Sequence, residues 1–251
     1  MPSQPPSPRC AVIDSLRPQD KARLLARAVP RRLTRGERLY LAGEELRRLH
    51  VIVSGVIKLS ASDGDGHETI LGLAFAGEII GEVAAVDRLP HHLGAVAAVR
   101  SYLLGFDADL FVSLLLDNPP AALALSRQMA GRNHWTCQAA LERSASEVPV
   151  RLAARLIDLA GKLGREHRGA VELEMPLSQA DLGRLAGMCR ESVCKTMRSF
   201  RESGLVEYRG RRLRILRPET LERISFAEPG AALCRSTGGE APRRSRSSSG
   251  T

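Results

Sequence analysis

The chain has 251 residues, of which 43% are hydrophobic and 26% are charged, a composition typical of a globular protein with one or two domains. This composition excludes collagen-like, fully disordered and coiled-coil rod proteins. No apolar run approaches the roughly 18 residues that span a bilayer, so we expect no membrane partner. Five scattered cysteines, together with an N-terminus that lacks the apolar stretch of a signal peptide, favour a cytoplasmic protein with free thiols.

The net charge of +9 lies mainly in the second half of the chain. Residues 1–150 carry 17 basic and 16 acidic side chains, whereas residues 151–227 carry 16 basic and 10 acidic ones. A basic segment of this kind indicates a polyanionic partner such as nucleic acid, although a merely solvated basic surface has the same composition.

The N-terminal half begins with a Pro-rich segment, for which we expect disorder over residues 1–12. Residues 13–28 have helical spacing, and Pro30 is expected to end that helix. Over residues 33–107 short apolar runs alternate with Gly and Asp turns, which predicts a compact β-barrel or sandwich. The Asp-Gly-Asp-Gly turn at residues 63–66 predicts a hairpin.

A long helix is predicted in the middle of the chain. Residues 109–116 form a short helix first, and Asn118 is expected to cap the next one, with Pro119 and Pro120 in its first turn. The segment from 121 to about 144 has few breakers, and its apolar and small residues recur at three- and four-residue spacing. Such a face needs a partner, so we expect a homodimer seam there. Close approach would be allowed by the small residues Ala130, Gly131, Ala139 and Ala140.

The strongest signal lies at residues 177–200 and predicts a helix-turn-helix. Ser178 and Asp181 form a capping-box pattern that starts the first helix, and Gly187 breaks it. The second helix begins near Arg190. Its apolar face carries Val193, Met197 and Phe200, and its polar face carries Arg190, Glu191, Cys194, Lys195 and Arg198.

The polar face of the second helix is suited to reading DNA bases. Arginine can bond guanine bidentately, and glutamate can accept from cytosine. We therefore expect base reading by Arg190, Glu191 and Lys195. Phosphate contacts are expected from Ser178, Gln179 and Ser192 near helix N-termini and from Arg198. The alternative is a helical hairpin whose charges are only solvated.

A basic strand–turn–strand unit follows the helix-turn-helix. Residues 204–216 read as a wing, and residues 171–175 as a third strand. Around the turn we expect phosphate contacts from Arg209, Arg211 and Arg212. An amphipathic helix over 148–163 and a polar loop over 164–169 precede these strands.

Three segments, in this order along the chain, resemble the sequence pattern of a known protein family. The first is a β-roll pattern that ends in Ala-Gly-Glu-Ile-Ile-Gly-Glu at 76–82, the second is the long helix with Gln-Met-Ala at 128–130, and the third is Cys-Arg-Glu-Ser-Val at 189–193. Together they resemble the Crp/Fnr superfamily of bacterial transcription regulators over residues 15–217.

The resemblance implies an α+β fold with an N-terminal cyclic-nucleotide-binding-like β-roll, a long dimerisation helix and a C-terminal winged helix-turn-helix. The corresponding ranges are a disordered N-terminus at 1–12, the β-roll at 13–117, the long helix at 118–147, the DNA-binding domain at 148–227 and a disordered basic tail at 228–251. It also implies a homodimer on a palindromic DNA site, with RNA polymerase as a further partner. Arg190 and Glu191 would read a G·C pair, and Lys195 stands where cyclic-AMP-responsive members carry Arg.

The resemblance further implies an effector pocket in the β-roll, but the cofactor stays unknown. The candidate pocket residues are Gly81, Glu82, His91, His92, Thr136 and Cys137. Cyclic-nucleotide binders of the superfamily have an Arg-Ser pair where this chain has His92-Leu93, so a buried phosphate would lack its cation. An iron–sulfur cluster of the Fnr type needs four thiolates, three of them near the N-terminus, where only Cys10 is present.

Two other sensing chemistries stay open. Haem could be ligated by His67, His91 or His92, and Cys189 or Cys194 could be oxidised singly, since their spacing is poor for a mutual disulfide. The remaining interpretation is that the protein senses an unknown small ligand, or no ligand at all.

The predicted function is therefore a sequence-specific DNA-binding transcription regulator that is not an enzyme. No nucleophile elbow, phosphate-binding loop, kinase motif or metal-ligand spacing is present in the sequence. The alternatives are a basic protein-interaction module, or a cyclic-nucleotide- or haem-responsive module without specific DNA reading.

Overall fold

The computed structural model describes residues 9–62 and 64–226, so most of the predicted disordered N-terminus and the basic tail at 228–251 lie outside the described residues. The predicted α+β class is confirmed: a β-roll, a long helix and a winged helix-turn-helix follow one another along the chain.

Two short helices, and not one, precede the β-roll. They are α1 (Ala11–Asp14) and α2 (Pro18–Leu25). The single helix predicted over 13–28 is wrong because Pro18 starts a new helix at a position where its missing N–H costs nothing. The prediction of disorder over residues 1–12 is also wrong for the last of these residues, because Cys10 and Val12 are buried in the core of the roll.

The β-roll consists of two four-stranded antiparallel sheets. Its strands are β1 (Val29–Leu33), β2 (Arg38–Tyr40), β3 (Arg48–Ser54), β4 (Val56–Ser62), β5 (Glu68–Phe75), β6 (Ile79–Ile80), β7 (Gly94–Ala97) and β8 (Ser101–Asp107). One sheet has the order β1-β8-β3-β6 and the other β2-β7-β4-β5. Alternate side chains along β5 are buried, as expected for strands that cover a core on one face. Strands β4 and β5 pair antiparallel from Val56 opposite Phe75 to Ser62 opposite Glu68, as the predicted hairpin requires.

Helices α3 (Glu82–Asp87), α4 (Ala108–Asp117) and α5 (Pro119–Ala145) complete the N-terminal half. Asn118 does not cap α5 with its side chain, contrary to the prediction. Its carboxamide accepts from the backbone N–H of Arg17 and donates to the carbonyl of Leu114 and to Asp20. The side chain thus ties α2 to the α4–α5 corner.

The C-terminal half is a winged helix-turn-helix. It contains α6 (Val148–Leu163), β9 (Arg165–His167), β10 (Ala170–Glu174), α7 (Gln179–Ala186), α8 (Arg190–Glu202), β11 (Val206–Arg209), β12 (Arg212–Ile215) and α9 (Pro218–Ser225). The sheet order is β11-β12-β10-β9. The polar loop predicted at 164–169 is instead an edge strand and a tight turn, because β9 finds hydrogen-bonding partners along β10.

No single helix in the described ranges has the length and apolar character needed to cross a membrane. Helices α4 and α5 reach that threshold only as a pair, and they are bent by 115° relative to each other.

The β-roll and the C-terminal half share one hydrophobic cluster. Val56, Ile70 and Ala98 of the roll pack in the same core as the helices of the winged helix-turn-helix. Ion pairs join the two parts as well: Lys58 Nζ lies 2.9 Å from Asp181 Oδ1, and Arg184 Nη1 lies 3.2 Å from Glu68 Oε2. The start of α7 is therefore docked on the roll of its own chain.

Lys58→Met should lower the free energy of unfolding by about 2 kcal/mol at pH 7, because it removes a charged hydrogen bond from side chains that are only 12% and 13% exposed. Burial raises the pKa of Asp181, but the hydrogen bonds from Lys58 and Ser178 outweigh it and leave that pKa below its ordinary value. The stabilisation is therefore present above the unfolded pKa of about 3.9 and is lost as the pH falls through the folded pKa.

Urea unfolding followed by tryptophan fluorescence measures this effect between pH 7 and pH 3. The difference between wild type and Lys58→Met should shrink as the solution becomes acidic. Lys21→Met, which breaks a more exposed pair with Asp14, is the control and should cost less than about 1 kcal/mol. A difference that stays constant with pH would contradict the role of Asp181.

Candidate nucleic-acid interface and sensor cavity

The turn of the helix-turn-helix is built by glycines and a capping box. The Ser178 hydroxyl accepts from the backbone N–H of Asp181, and the Asp181 carboxylate accepts from the Ser178 backbone, as predicted. Gly187 ends α7 with φ of 67°, a left-handed conformation that glycine adopts without strain. A Cβ on Gly183 would lie 2.6 Å from the carbonyl oxygen of Met188, so this glycine allows the close turn. Sequence reasoning missed that requirement.

Helix α8 presents the predicted recognition surface. Val193, Met197 and Phe200 are buried against the domain. The opposite face is exposed, and within the described residues its members form no ion pair: Arg190, Glu191, Lys195 and Arg198. A guanidinium and a carboxylate thus stand next to each other at the N-terminal end of α8, the part of a recognition helix that meets base edges in this type of domain.

The predicted phosphate contacts divide into two groups. Arg198, Arg209 and Arg212 are exposed, and none forms an ion pair in the part of the chain that the structure describes. Ser178 is already engaged, because its one hydroxyl proton is donated to Asp181 Oδ2 at 2.8 Å. The prediction for the Ser178 hydroxyl is therefore corrected, since a phosphate needs a free donor. Arg211 Nη2 donates to the carbonyl of Met175 at 2.8 Å, but a guanidinium has five N–H donors, so Arg211 stays a predicted phosphate contact.

Two cysteines flank the recognition surface. Cys189 is the N-cap residue of α8 and is fully exposed. A hydrogen bond from the Ser192 hydroxyl, helped by backbone N–H groups, lowers the pKa of Cys189 below the usual value for a thiol. Cys194 donates from its sulfur to Gln179 Oε1 at 2.8 Å, so the amide of Gln179 is engaged as well. Ser192 is half-buried at the first turn of α8.

A small cavity lies in the β-roll where the effector pocket was predicted. Gly81, Glu82, His91 and His92 line it, together with Arg132 from α5. We call this space the roll cavity. Its volume is about 50 Å³, which suffices for a water molecule or two but is far below that of a ligand site of ~300 Å³ or more.

The roll cavity is closed by its own side chains. The rings of Tyr40 and His91 stack with centroids 3.7 Å apart and an interplanar angle of 6°. Arg132 Nη1 forms an ion pair with Glu82, and Arg132 Nη2 lies 3.4 Å from Glu78 Oε2. Burial raises the pKa of Glu82, and the neighbouring Arg132 opposes that shift. The cation that sequence reasoning missed is therefore Arg132, and two carboxylates already neutralise it.

Thr136 and Cys137 do not line the roll cavity, contrary to the prediction. The Thr136 hydroxyl donates to the carbonyl of Arg132 within the same helix. Cys137 is exposed and is not among the residues that line the cavity. Within the described residues no group of three His, Cys, Asp or Glu side chains could hold a metal ion.

Comparison with known proteins identifies both halves of the chain. The Crp-like helix-turn-helix domain matches residues 150–224, and the cyclic nucleotide-binding domain matches residues 30–118. The chain belongs to the Crp/Fnr superfamily. The resemblance seen in the sequence is thereby confirmed.

Curated Crp/Fnr relatives cover most of the chain. A CRP-like cAMP-activated global transcriptional regulator of Mycobacterium tuberculosis is 27% identical over 215 residues, which is 86% of this chain and 96% of the relative. A fumarate and nitrate reduction regulatory protein of Yersinia pestis is 25% identical and covers 77% of both chains.

Solved Crp/Fnr structures have the same fold. FixK2 from Bradyrhizobium japonicum aligns with a TM-score of 0.71 at 18% identity, over 80% of this chain and 99% of the other. A CRP-family transcriptional regulator from Thermus thermophilus aligns with a TM-score of 0.67 at 24% identity, over 80% and 100% of the two chains. This Crp/Fnr protein thus shares its architecture with these solved structures.

Proposed function

We propose that this Crp/Fnr transcription regulator binds a palindromic DNA site as a homodimer and reads each half-site with Arg190, Glu191 and Lys195. The observation that carries this proposal is the exposure of these three side chains on α8, whose other face is buried. Arg198, Arg209 and Arg212 would contact phosphates on both sides of the groove. Gln179 and Ser192, near the two helix starts, and Arg211, in the wing, are the remaining candidates for phosphate contacts.

The exposed face of α5 supports the homodimer. Leu123 and Leu141 are 52% and 63% exposed, although both are large apolar residues in a helix. Ala130, Cys137 and His134 lie between them at three- and four-residue spacing and are exposed too. Pairing α5 with the same helix of a second chain would cover this stripe and place two copies of α8 on one side of the dimer.

The effector of the β-roll is not assigned. The roll cavity is too small for a nucleotide, and its guanidinium is neutralised by Glu82 and Glu78. Binding of any effector there would have to separate Arg132 from Glu82, which would loosen the contact between α5 and the roll. We also propose RNA polymerase as a partner and the cytoplasm as the location, since a regulator of this superfamily acts at the promoter.

Selection of binding sites from random duplex DNA tests this function. The selected sequences should form an inverted repeat whose half-sites are about 34 Å, or one helical turn, apart. Selected sequences without twofold symmetry, or equal binding to the consensus and a scrambled duplex, would rule it out.

Cys137 provides a test of the dimer. A short bismaleimide should link two chains through Cys137 when Cys189, Cys194 and Cys234 have been replaced by Ser, because the α5 seam would bring the two Cys137 residues together. The same triple variant with Cys137→Ser added is the matched control. If the linked dimer forms equally well through Cys189 or Cys194 alone, α5 is not the seam.

A further inference from the structure

A larger cavity lies between the β-roll and the DNA-binding domain. Its volume is about 360 Å³, and its walls come from β5, α5, α6 and α7. We call it the interdomain cavity. Its apolar lining consists of Leu73, Phe75, Trp135, Leu159 and Leu185. It is distinct from the roll cavity, and it falls within the range typical of small-molecule sites, at the lower end.

The charged groups around the interdomain cavity are mainly basic. Four cations line it, Arg127, Arg132, Arg155 and Lys162, against two carboxylates, Glu78 and Asp158. Arg132 is neutralised by Glu82 and Glu78. Arg127 and Lys162 are exposed and form no ion pair with the residues that the structure describes. The entrance therefore carries uncompensated positive charge.

Arg155 adds a buried donor that makes no hydrogen bond. Its side chain is only 3% exposed and is held by Glu142. Its Nη1 is shielded from solvent and forms an ion pair with Asp158 Oδ2 at 3.4 Å, but it has no hydrogen-bond partner. Leaving a charged donor unsatisfied in the interior is costly, and native structures rarely do so without a reason.

Aromatic side chains accompany this donor. The Arg155 guanidinium lies 4.6 Å from the centre of the Trp135 ring, and Lys162 Nζ lies 5.9 Å from the centre of the Phe75 ring. Each cation thus stands beside an apolar ring. A ligand with a flat apolar body and an anionic group matches both chemistries at once.

We propose that the interdomain cavity binds a small planar aromatic anion, such as an aromatic carboxylate or sulfonate. Its ring lies among Phe75, Trp135 and Leu159, and its anionic group accepts from Arg155 Nη1 and Lys162. Because the walls belong to both the roll and the DNA-binding domain, the occupant contacts both parts of the chain. The site rests on the chemistry of the cavity alone and does not depend on how the protein reads DNA.

A matched pair of fluorescent probes tests the charge requirement. 8-Anilinonaphthalene-1-sulfonate has an aromatic body and an anionic group, and N-phenyl-1-naphthylamine has the same ring system without the sulfonate. Trp135 is the only tryptophan of the chain, so energy transfer from tryptophan reports binding close to the cavity. We expect the sulfonate to bind with one site per chain and to bind more tightly than the neutral probe.

Two pairs of variants locate the site on the full-length chain. Gly72, in β5, lines the cavity and has open space where a Cβ would point, so the side chain of Gly72→Leu extends into the cavity. Gly161→Leu is the control, since Gly161 has the same open space on α6 but does not line the cavity. Gly72→Leu should weaken sulfonate binding at least about tenfold, and Gly161→Leu should leave it unchanged.

Lys162→Glu should weaken sulfonate binding about fivefold, the size expected for a partly exposed ion pair, and leave the neutral probe unaffected. Arg35→Glu, the same charge change on an exposed turn of the roll, should have no effect. Equal affinity for both probes, or unchanged sulfonate affinity in either Gly72→Leu or Lys162→Glu, would overturn the proposal. DNA affinity measured on the same samples keeps this outcome separate from a failure of the DNA-binding function.

Discussion

Arg190→Ala should weaken binding to the selected palindrome by about 1–3 kcal/mol per half-site, roughly 5- to 150-fold, while affinity for random duplex changes little. The guanidinium of Arg190 is exposed at the start of α8 and has no ion-pair partner among the described residues. It is therefore free to donate two hydrogen bonds to a guanine. Those bonds exist only on the correct base pair, so the loss should be specific to the site.

Fluorescence anisotropy with the palindrome and with a scrambled duplex measures the two affinities at a fixed salt concentration. Arg209→Ala, in the wing, is the matched control. Arg209 is exposed at the β11–β12 turn, where a phosphate contact would weaken both duplexes equally and reduce the salt slope by about one. If Arg190→Ala also weakened both duplexes equally, Arg190 would be a phosphate contact and not a base reader.

Glu142→Leu should lower the free energy of unfolding by about 3–5 kcal/mol, because it leaves the buried guanidinium of Arg155 without its main counterion. The side chains of Arg155 and Glu142 are only 3% and 7% exposed. The remaining carboxylate, on Asp158, lies 3.4 Å from Nη1. This residual pair cannot replace the lost one, since Asp158 also accepts from Trp135 Nε1 at 3.0 Å.

Urea unfolding followed by the fluorescence of Trp135, whose ring lies beside the Arg155 guanidinium, measures this loss of stability. The double variant Glu142→Leu/Arg155→Met should recover most of the stability, because a buried ion pair and a well-packed apolar pair are often of similar stability. Glu172→Leu breaks the exposed pair with Arg214 and should cost less than about 1 kcal/mol. A double variant no more stable than Glu142→Leu would show that the cost comes from lost packing and not from an unpaired charge.

The elements with local signals could be predicted from the sequence. The capping box at Ser178, the left-handed Gly187 and the apolar spacing of Val193, Met197 and Phe200 are short-range features, and the structure has each of them. The exposure of Arg190 and Glu191 follows from the same spacing, because a helix that buries one face exposes the other.

Some departures from prediction are local, and others involve groups that are distant in sequence. The hydroxyl of Ser178 donates to Asp181, three residues later, which Lys58 holds from 123 residues earlier. Arg132 reaches the roll cavity from a helix with no motif at that position, and one nitrogen of Arg211 donates to a carbonyl of the loop before α7. The interdomain cavity is lined by four elements and has no signature in any one of them.

The hydrophobic cluster shared by the roll and the DNA-binding domain has a consequence for dissecting this protein. Val56, Ile70 and Ala98 are buried there, and Leu73 and Phe75 pack against the same cluster. A fragment that stops at the end of α5 would expose this apolar surface on the outside of β4 and β5. The isolated roll would then tend to self-associate through a patch that the intact chain covers, and its apparent oligomeric state would not be that of the regulator.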